Sequence, residues 1–99
     1  MWYCIYAIDH EDSLSLRQKY RPPHLLRLEE LKNQGRLLIA GPFPMIDSLE
    51  PGPHGFTGSL IVAEFENLSD ANEWASTDPF MLHGVYRSVE VKPFKKTLP

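Results

Sequence analysis

The chain has 99 residues, a formal net charge of −3, and 42% hydrophobic and 23% charged side chains, which describes one globular domain over 1–99 and excludes a second core or a disordered chain. The acidic balance argues against general attraction to nucleic acid, and no stretch approaches the ~20 apolar residues of a membrane span. Cys4 is the one cysteine, so an internal disulfide and a multi-cysteine zinc site are excluded; with no signal-like N-terminus, a buried thiol in the reducing cytoplasm is expected.

Trp2 to Ile8 is an apolar run rich in aromatic and β-branched residues, closed by Asp9-His10-Glu11-Asp12, and predicts a first strand. Asp12 or Ser13 can cap a helix whose first turns carry Leu14, Leu16, Arg17 and Tyr20. Pro22 and Pro23 predict an interruption there, with a fresh helix starting at the pair, because proline lacks the N–H an interior turn needs. Leu25, Leu28 and Leu31 then recur at helical spacing, and Gly35 is a natural C-terminal stop. Arg36 to Gly41 predicts a second strand ending at Gly41-Pro42. Prolines at 42, 44, 51 and 53 and glycines at 52, 55 and 58 predict a long loop from Pro42 to Gly58, of a length that is often functional in compact domains.

Ser59 to Phe65 predicts the third strand. Asn67 or Ser69 can cap a second helix with an apolar face of Leu68, Ala71, Trp74 and Ala75, ending at Thr77-Asp78-Pro79. After a short turn to Gly84, Val85 to Val91 alternates cleanly and predicts a fourth strand at a sheet edge. The order is β-α-β-β-α-β, a ferredoxin-like α+β fold with a four-stranded antiparallel sheet and both helices on one face. Strands one to three are apolar on both faces, so the face away from the helices needs cover, and a homodimer packed sheet against sheet supplies it. A chain this short buries only roughly 60–70% of its unfolded surface, which also favours association.

Histidines stand at 10, 24, 54 and 83. None form an i, i+4 pair and no Cys/His cluster exists, so no metal site is expected. His10 reads as a solvated turn residue, His83 as the end of a short turn, and His54 as a loop residue able to close over a pocket. His24, after Arg21-Pro22-Pro23 and beside the leucine stripe, is the candidate base, kept neutral by the helix start predicted there. Its bland alternative is a partly buried histidine bonded to a carbonyl. Asp78 reads most simply as an Asp-Pro cap. A carboxylate brought against His24 would orient the ring and make it a competent proton shuttle. Lys92, Lys95 and Lys96 form a basic cluster that reads as a solvated strand end.

The segments WYCIYAIDHEDSLSLR, RPPHLLRL, GRLLIAGPFP, GFTGSLIVAEF, DPF and VKPFKK occur in order over nearly the whole chain. Together they resemble the YciI-like (YCII-related) family of the dimeric α+β barrel superfamily. The resemblance implies a ferredoxin-like dimer and an active site centred on a histidine and an aspartate, which match His24 of RPPHL and Asp78 of DPF. It also places Arg21, Gly41 and Pro42 in family segments, where they are expected to shape a substrate pocket. By this resemblance one relative is similar to a dehydrochlorinase, and superfamily neighbours include lactone isomerases and cofactor-independent oxygenases, which does not fix the chemistry.

The expected function is therefore a cofactor-independent lyase or isomerase in which His24 moves a proton to or from carbon and Asp78 balances it. The rim of its pocket is expected to include the loop Asp47 to Gly55. The expected ligand is a small molecule, and the expected assembly is the homodimer or a higher oligomer built from it. A non-catalytic module that binds a metabolite or a protein is the alternative. Nucleic-acid binding through Trp2, Tyr3 and Tyr6 is weak, because the chain lacks a basic-aromatic signature.

Overall fold

Strand β1 (Trp2–Asp9) leads into helix α1 (Leu14–Asn33), β2 (Leu37–Pro44), β3 (Phe56–Glu64), α2 (Leu68–Ser76), the one-turn α3 (Pro79–Leu82) and β4 (Tyr86–Phe94) in a computed structural model that describes residues 1–99. The four strands form one antiparallel sheet in the order β2-β3-β1-β4, so the expected ferredoxin-like fold is met and β4 lies at an edge. In β1 the odd-numbered residues from Tyr3 to Asp9 are buried, and the alternate ones are half-buried or exposed. The buried set faces the helices. Tyr3 and Ile5 pack with Ile61 and Ala63 of β3, Leu28 and Leu31 of α1, and Ala71 and Ala75 of α2. Each fully buried side chain as large as Ile or Leu contributes about 1.5–3 kcal/mol.

Helix α1 does not break at the proline pair. Pro22 and Pro23 lie inside a continuous 20-residue helix. Both are exposed, as are Gln18 and Lys19, whose carbonyls lose their helical donors and meet water instead. The opposite face, with Arg17, His24, Leu28 and Leu31, is buried and holds the two halves in register. Ser13 stands at the N-cap without a side-chain cap bond. Gly35, at φ +70, ends the helix as expected; its N–H bonds the Lys32 carbonyl at 2.9 Å and Arg36 N–H bonds that of Leu31 at 2.8 Å, the paired bonds of a Schellman cap.

Strand β2 also runs further than its prolines suggested, through Gly41-Pro42-Phe43-Pro44. It is the other edge strand, where a missing N–H costs no ladder bond on the open side. The long loop accordingly shrinks to 45–55, closed by Met45 N–H on the Gly55 carbonyl at 2.9 Å. Strand β3 begins at Phe56 rather than Ser59. Asn67 caps α2 as expected, its Oδ1 accepting Asp70 N–H at 2.8 Å.

Gly58 sits where β1 and β3 approach most closely: a Cβ there would run into the carbonyl oxygen of Ala7. Gly58→Ala is expected to part the strands and lower stability by about 1–3 kcal/mol, the usual range for overpacking. A urea melt in which the variant matched the parent would refute this.

Candidate active site

The full register of α1 carries Arg17, Arg21, His24 and Leu28 along one face, because steps of three and four residues return to nearly the same side of a helix. All four line a pocket of about 380 Å³. Its opposite wall is Ala40, Gly41 and Pro42 of β2, its floor includes Phe80, and its rim is Leu49 to Gly52 of the 45–55 loop. Arg21, Gly41 and Pro42 thus stand in the pocket with His24. His54 does not; it is exposed and lines a separate depression beside Asp9 to Ser15. The 3-10 turn Gly52–His54 carries its side chain away from the His24 side. His10 is exposed, and His83, also exposed, stacks on Tyr20 with centroids 4.0 Å apart.

His24 and Asp78 meet. Nδ1 of His24 is 2.8 Å from Oδ1 and 2.9 Å from Oδ2 of Asp78, and both residues are buried, at 6% and 1% exposure. An ionised carboxylate only accepts, so Nδ1 carries the hydrogen, and in the neutral ring Nε2 is the nitrogen left with a lone pair. Nε2 makes no hydrogen bond within the chain. The contact fixes the ring's orientation and tautomer, and no helix start bears on it, because His24 lies mid-helix. Its face stacks on Phe80 at 3.9 Å, with Tyr86 edge-on at 6.5 Å.

Asp78 is also the cap expected from Asp-Pro: its Oδ1 accepts Phe80 N–H at 2.8 Å at the start of α3. The cap bond fixes the carboxylate that orients the histidine. Behind it, Arg27 Nη1 lies 3.7 Å from Oδ2 and is buried with no hydrogen-bond partner. The Arg27 guanidinium lies over Trp74 at 4.3 Å, and its Nη2 donates to the Trp74 carbonyl at 2.9 Å. Burial lowers the Arg27 pKa while Asp78 and Glu30 raise it, and an arginine stays charged throughout.

Arg17 was not singled out as a site residue by the sequence. Its Nε and Nη2 donate to the two oxygens of Asp9 at 2.6 and 3.1 Å, and Nη2 also donates to the Gly58 carbonyl and Ser59 Oγ. Other groups are poor proton carriers. Burial raises the Tyr86 hydroxyl well above the ordinary tyrosine range. Cys4 is half-buried on the far face of the sheet rather than fully buried, and burial raises its thiol too. No three His, Cys, Asp or Glu side chains converge as a metal cluster.

Comparison with known proteins agrees in sequence and shape. The YCII-related domain profile matches residues 1–95. The YciI proteins of Escherichia coli and Shigella flexneri are each 56% identical over 96 residues, covering 97% of this chain and 98% of theirs. An uncharacterised protein of Haemophilus influenzae is 50% identical over the same length. Among solved structures, 5-chloro-2-hydroxyhydroquinone dehydrochlorinase of Burkholderia phenoliruptrix, in complex with 2,5-dihydroxybenzoquinone, superposes with a TM-score of 0.83. That similarity comes at 27% identity and covers 96% of this chain and 94% of that one.

Proposed function

The chain belongs to the YCII-related family, and from that premise we propose that it is a cofactor-independent lyase or isomerase that moves a proton at carbon in a small molecule. The observation that carries this is the buried His24–Asp78 pair, with Nδ1 engaged and Nε2 unengaged on a residue that lines the pocket. A base needs a lone pair in reach of substrate, and a fixed carboxylate stabilises the imidazolium formed on proton uptake. The similar dehydrochlorinase supports lyase chemistry, and its bound quinone supports a small cyclic ligand. A pocket of about 380 Å³ is near the lower end of the range for small-molecule sites. Arg21, Gly41 and Pro42 shape its walls.

The test is solvent-deuterium exchange and product formation, followed by NMR, with 5-chloro-2-hydroxyhydroquinone and a panel of small cyclic keto and hydroxy compounds. Exchange that depends on His24 is the expected result. No exchange with any member, although several bind, would move the protein to the class of binding modules.

The active unit is proposed to be a homodimer formed through the sheet face opposite the helices. That face carries Trp2, Tyr6, Ile39, Phe43, Leu60 and Phe94, with Tyr6, Ile39 and Phe94 exposed at 44, 53 and 39%. No helix covers it, and the exposed large apolar residues form the kind of patch that marks an association surface. Tyr6→Glu is expected to weaken dimerisation by about tenfold or more, since a central aromatic contributes beyond 1.4 kcal/mol. Sedimentation equilibrium reads this directly, and a monomeric parent protein would dismiss the dimer. No helix is long and apolar enough to cross a membrane.

A further inference from the structure

A buried arginine with a purely structural role has its N–H groups satisfied inside the fold, since unpaired buried donors are costly. Arg17 does not meet that description. At 7% exposure it is held from three sides: Asp9 on Nε and Nη2, and Gly58 and Ser59 on Nη2. Nη1, with two N–H groups, has no partner in the chain, and it is not among the sealed polar atoms that lack one. Arg17 lines the pocket, and its guanidinium carbon lies 5.1 Å from the Phe80 ring centroid, the same ring on which His24 stacks. Seven residues of helix separate Arg17 from His24, so their Cα atoms stand about 10 Å apart on one face. The pocket of about 380 Å³ that both side chains line has room for a six-membered ring with an oxygen substituent.

We propose that Arg17 is a substrate-binding residue and that the pocket takes a small planar conjugated carbonyl compound, its oxygen on Nη1 of Arg17 and its reacting carbon at Nε2 of His24. This inference rests on the proton-transfer function proposed for His24. The C–H bond breaks, its proton passes to Nε2, and the electron pair moves through the conjugated system onto the oxygen that Arg17 holds. Return of the proton to another carbon completes an isomerisation, and departure of an anionic leaving group completes an elimination. Because Asp9 fixes the guanidinium beforehand, the donors need not reorganise as the oxygen becomes negative, which is where electrostatic stabilisation is strongest. Arg21, exposed at the mouth one turn further on, adds a second positive charge along the entry.

Binding of unreactive probes separates this assignment from the function it rests on. Benzoate and benzamide share shape and differ in the oxyanion. Benzoate is expected to bind the wild-type protein about tenfold or more tightly than benzamide, and to shift the guanidinium N–H resonances of Arg17. Arg17→Gln, confirmed folded by its amide spectrum, is expected to cut the preference by about tenfold or more while benzamide affinity holds. If Arg17→Gln does not fold, the wild-type affinity ratio and the Arg17 resonances decide alone. Equal affinities, or Arg17 resonances that do not move at saturation, would overturn the assignment. His24→Gln is expected to keep the benzoate preference, so a failure of the base and a failure of the arginine give different results.

Discussion

Replacing His24 with glutamine is expected to lower kcat by about 10²–10⁴-fold, the usual contribution of a positioned general acid–base, while ligand affinity changes little. Glutamine is close to histidine in length, and its amide N–H can still reach Asp78. It can also lie flat against Phe80, where the imidazole now stacks at 3.9 Å. What it lacks is a lone pair able to take a proton near neutral pH. The loss should therefore fall on kcat and on deuterium exchange, with KM nearly unchanged, the signature of an interaction made in the transition state. Isothermal titration with a bound, unreactive ligand checks the affinity side. Turnover that survives His24→Gln would remove the base from the mechanism. Preserved affinity in a protein with no turnover to lose would favour a binding module.

The strands were legible in the sequence because each is a short apolar run bounded by turn residues, and their count and order follow from that. Two errors of extent, in α1 and β2, came from proline; β3 also starts three residues earlier than expected and β4 runs on to Phe94. At Pro42 and Pro44 the edge position of β2 makes the missing donors harmless, and an edge is a tertiary fact. At Pro22-Pro23 the buried face of α1 outweighs the two lost bonds, which no local propensity reports. That second error hid part of the site. A helix broken at Pro22 has no defined register between Arg17 and His24; a continuous one puts Arg17, Arg21 and His24 on a single face. The continuous helix was the signal that would have found Arg17. The contact between His24 and Asp78, 54 residues apart, was beyond any spacing rule, and only family resemblance paired them before the fold did. His54 illustrates the opposite case: proximity to a suspected loop was not proximity to the pocket.

Asp78→Asn tests whether the carboxylate acts by charge or merely by shape. Asparagine keeps one oxygen, which can still accept from Phe80 N–H, so the cap at the start of α3 can persist. Its amide nitrogen then stands where Oδ2 now faces His24 Nδ1 at 2.9 Å and Arg27 Nη1 at 3.7 Å, putting N–H groups against the ring and against the one guanidinium nitrogen of Arg27 that is buried without a hydrogen bond. Removing one member of a buried charge pair costs about 3–5 kcal/mol; part of the Arg27 side chain reaches solvent, so the lower end is expected. Catalysis should suffer more. An amide that presents its N–H to the ring selects the wrong tautomer, and a neutral partner cannot balance the imidazolium; in a comparable histidine–carboxylate pair this costs about 10⁴-fold in kcat. The ring ¹⁵N shifts of His24 separate the two contributions: wild type is expected to show Nδ1 protonated and Nε2 bare, and the variant to lose that bias. A variant that is less stable yet keeps both the tautomer and the turnover would reduce Asp78 to a helix cap. A variant of nearly parental stability without turnover would assign its charge to proton transfer.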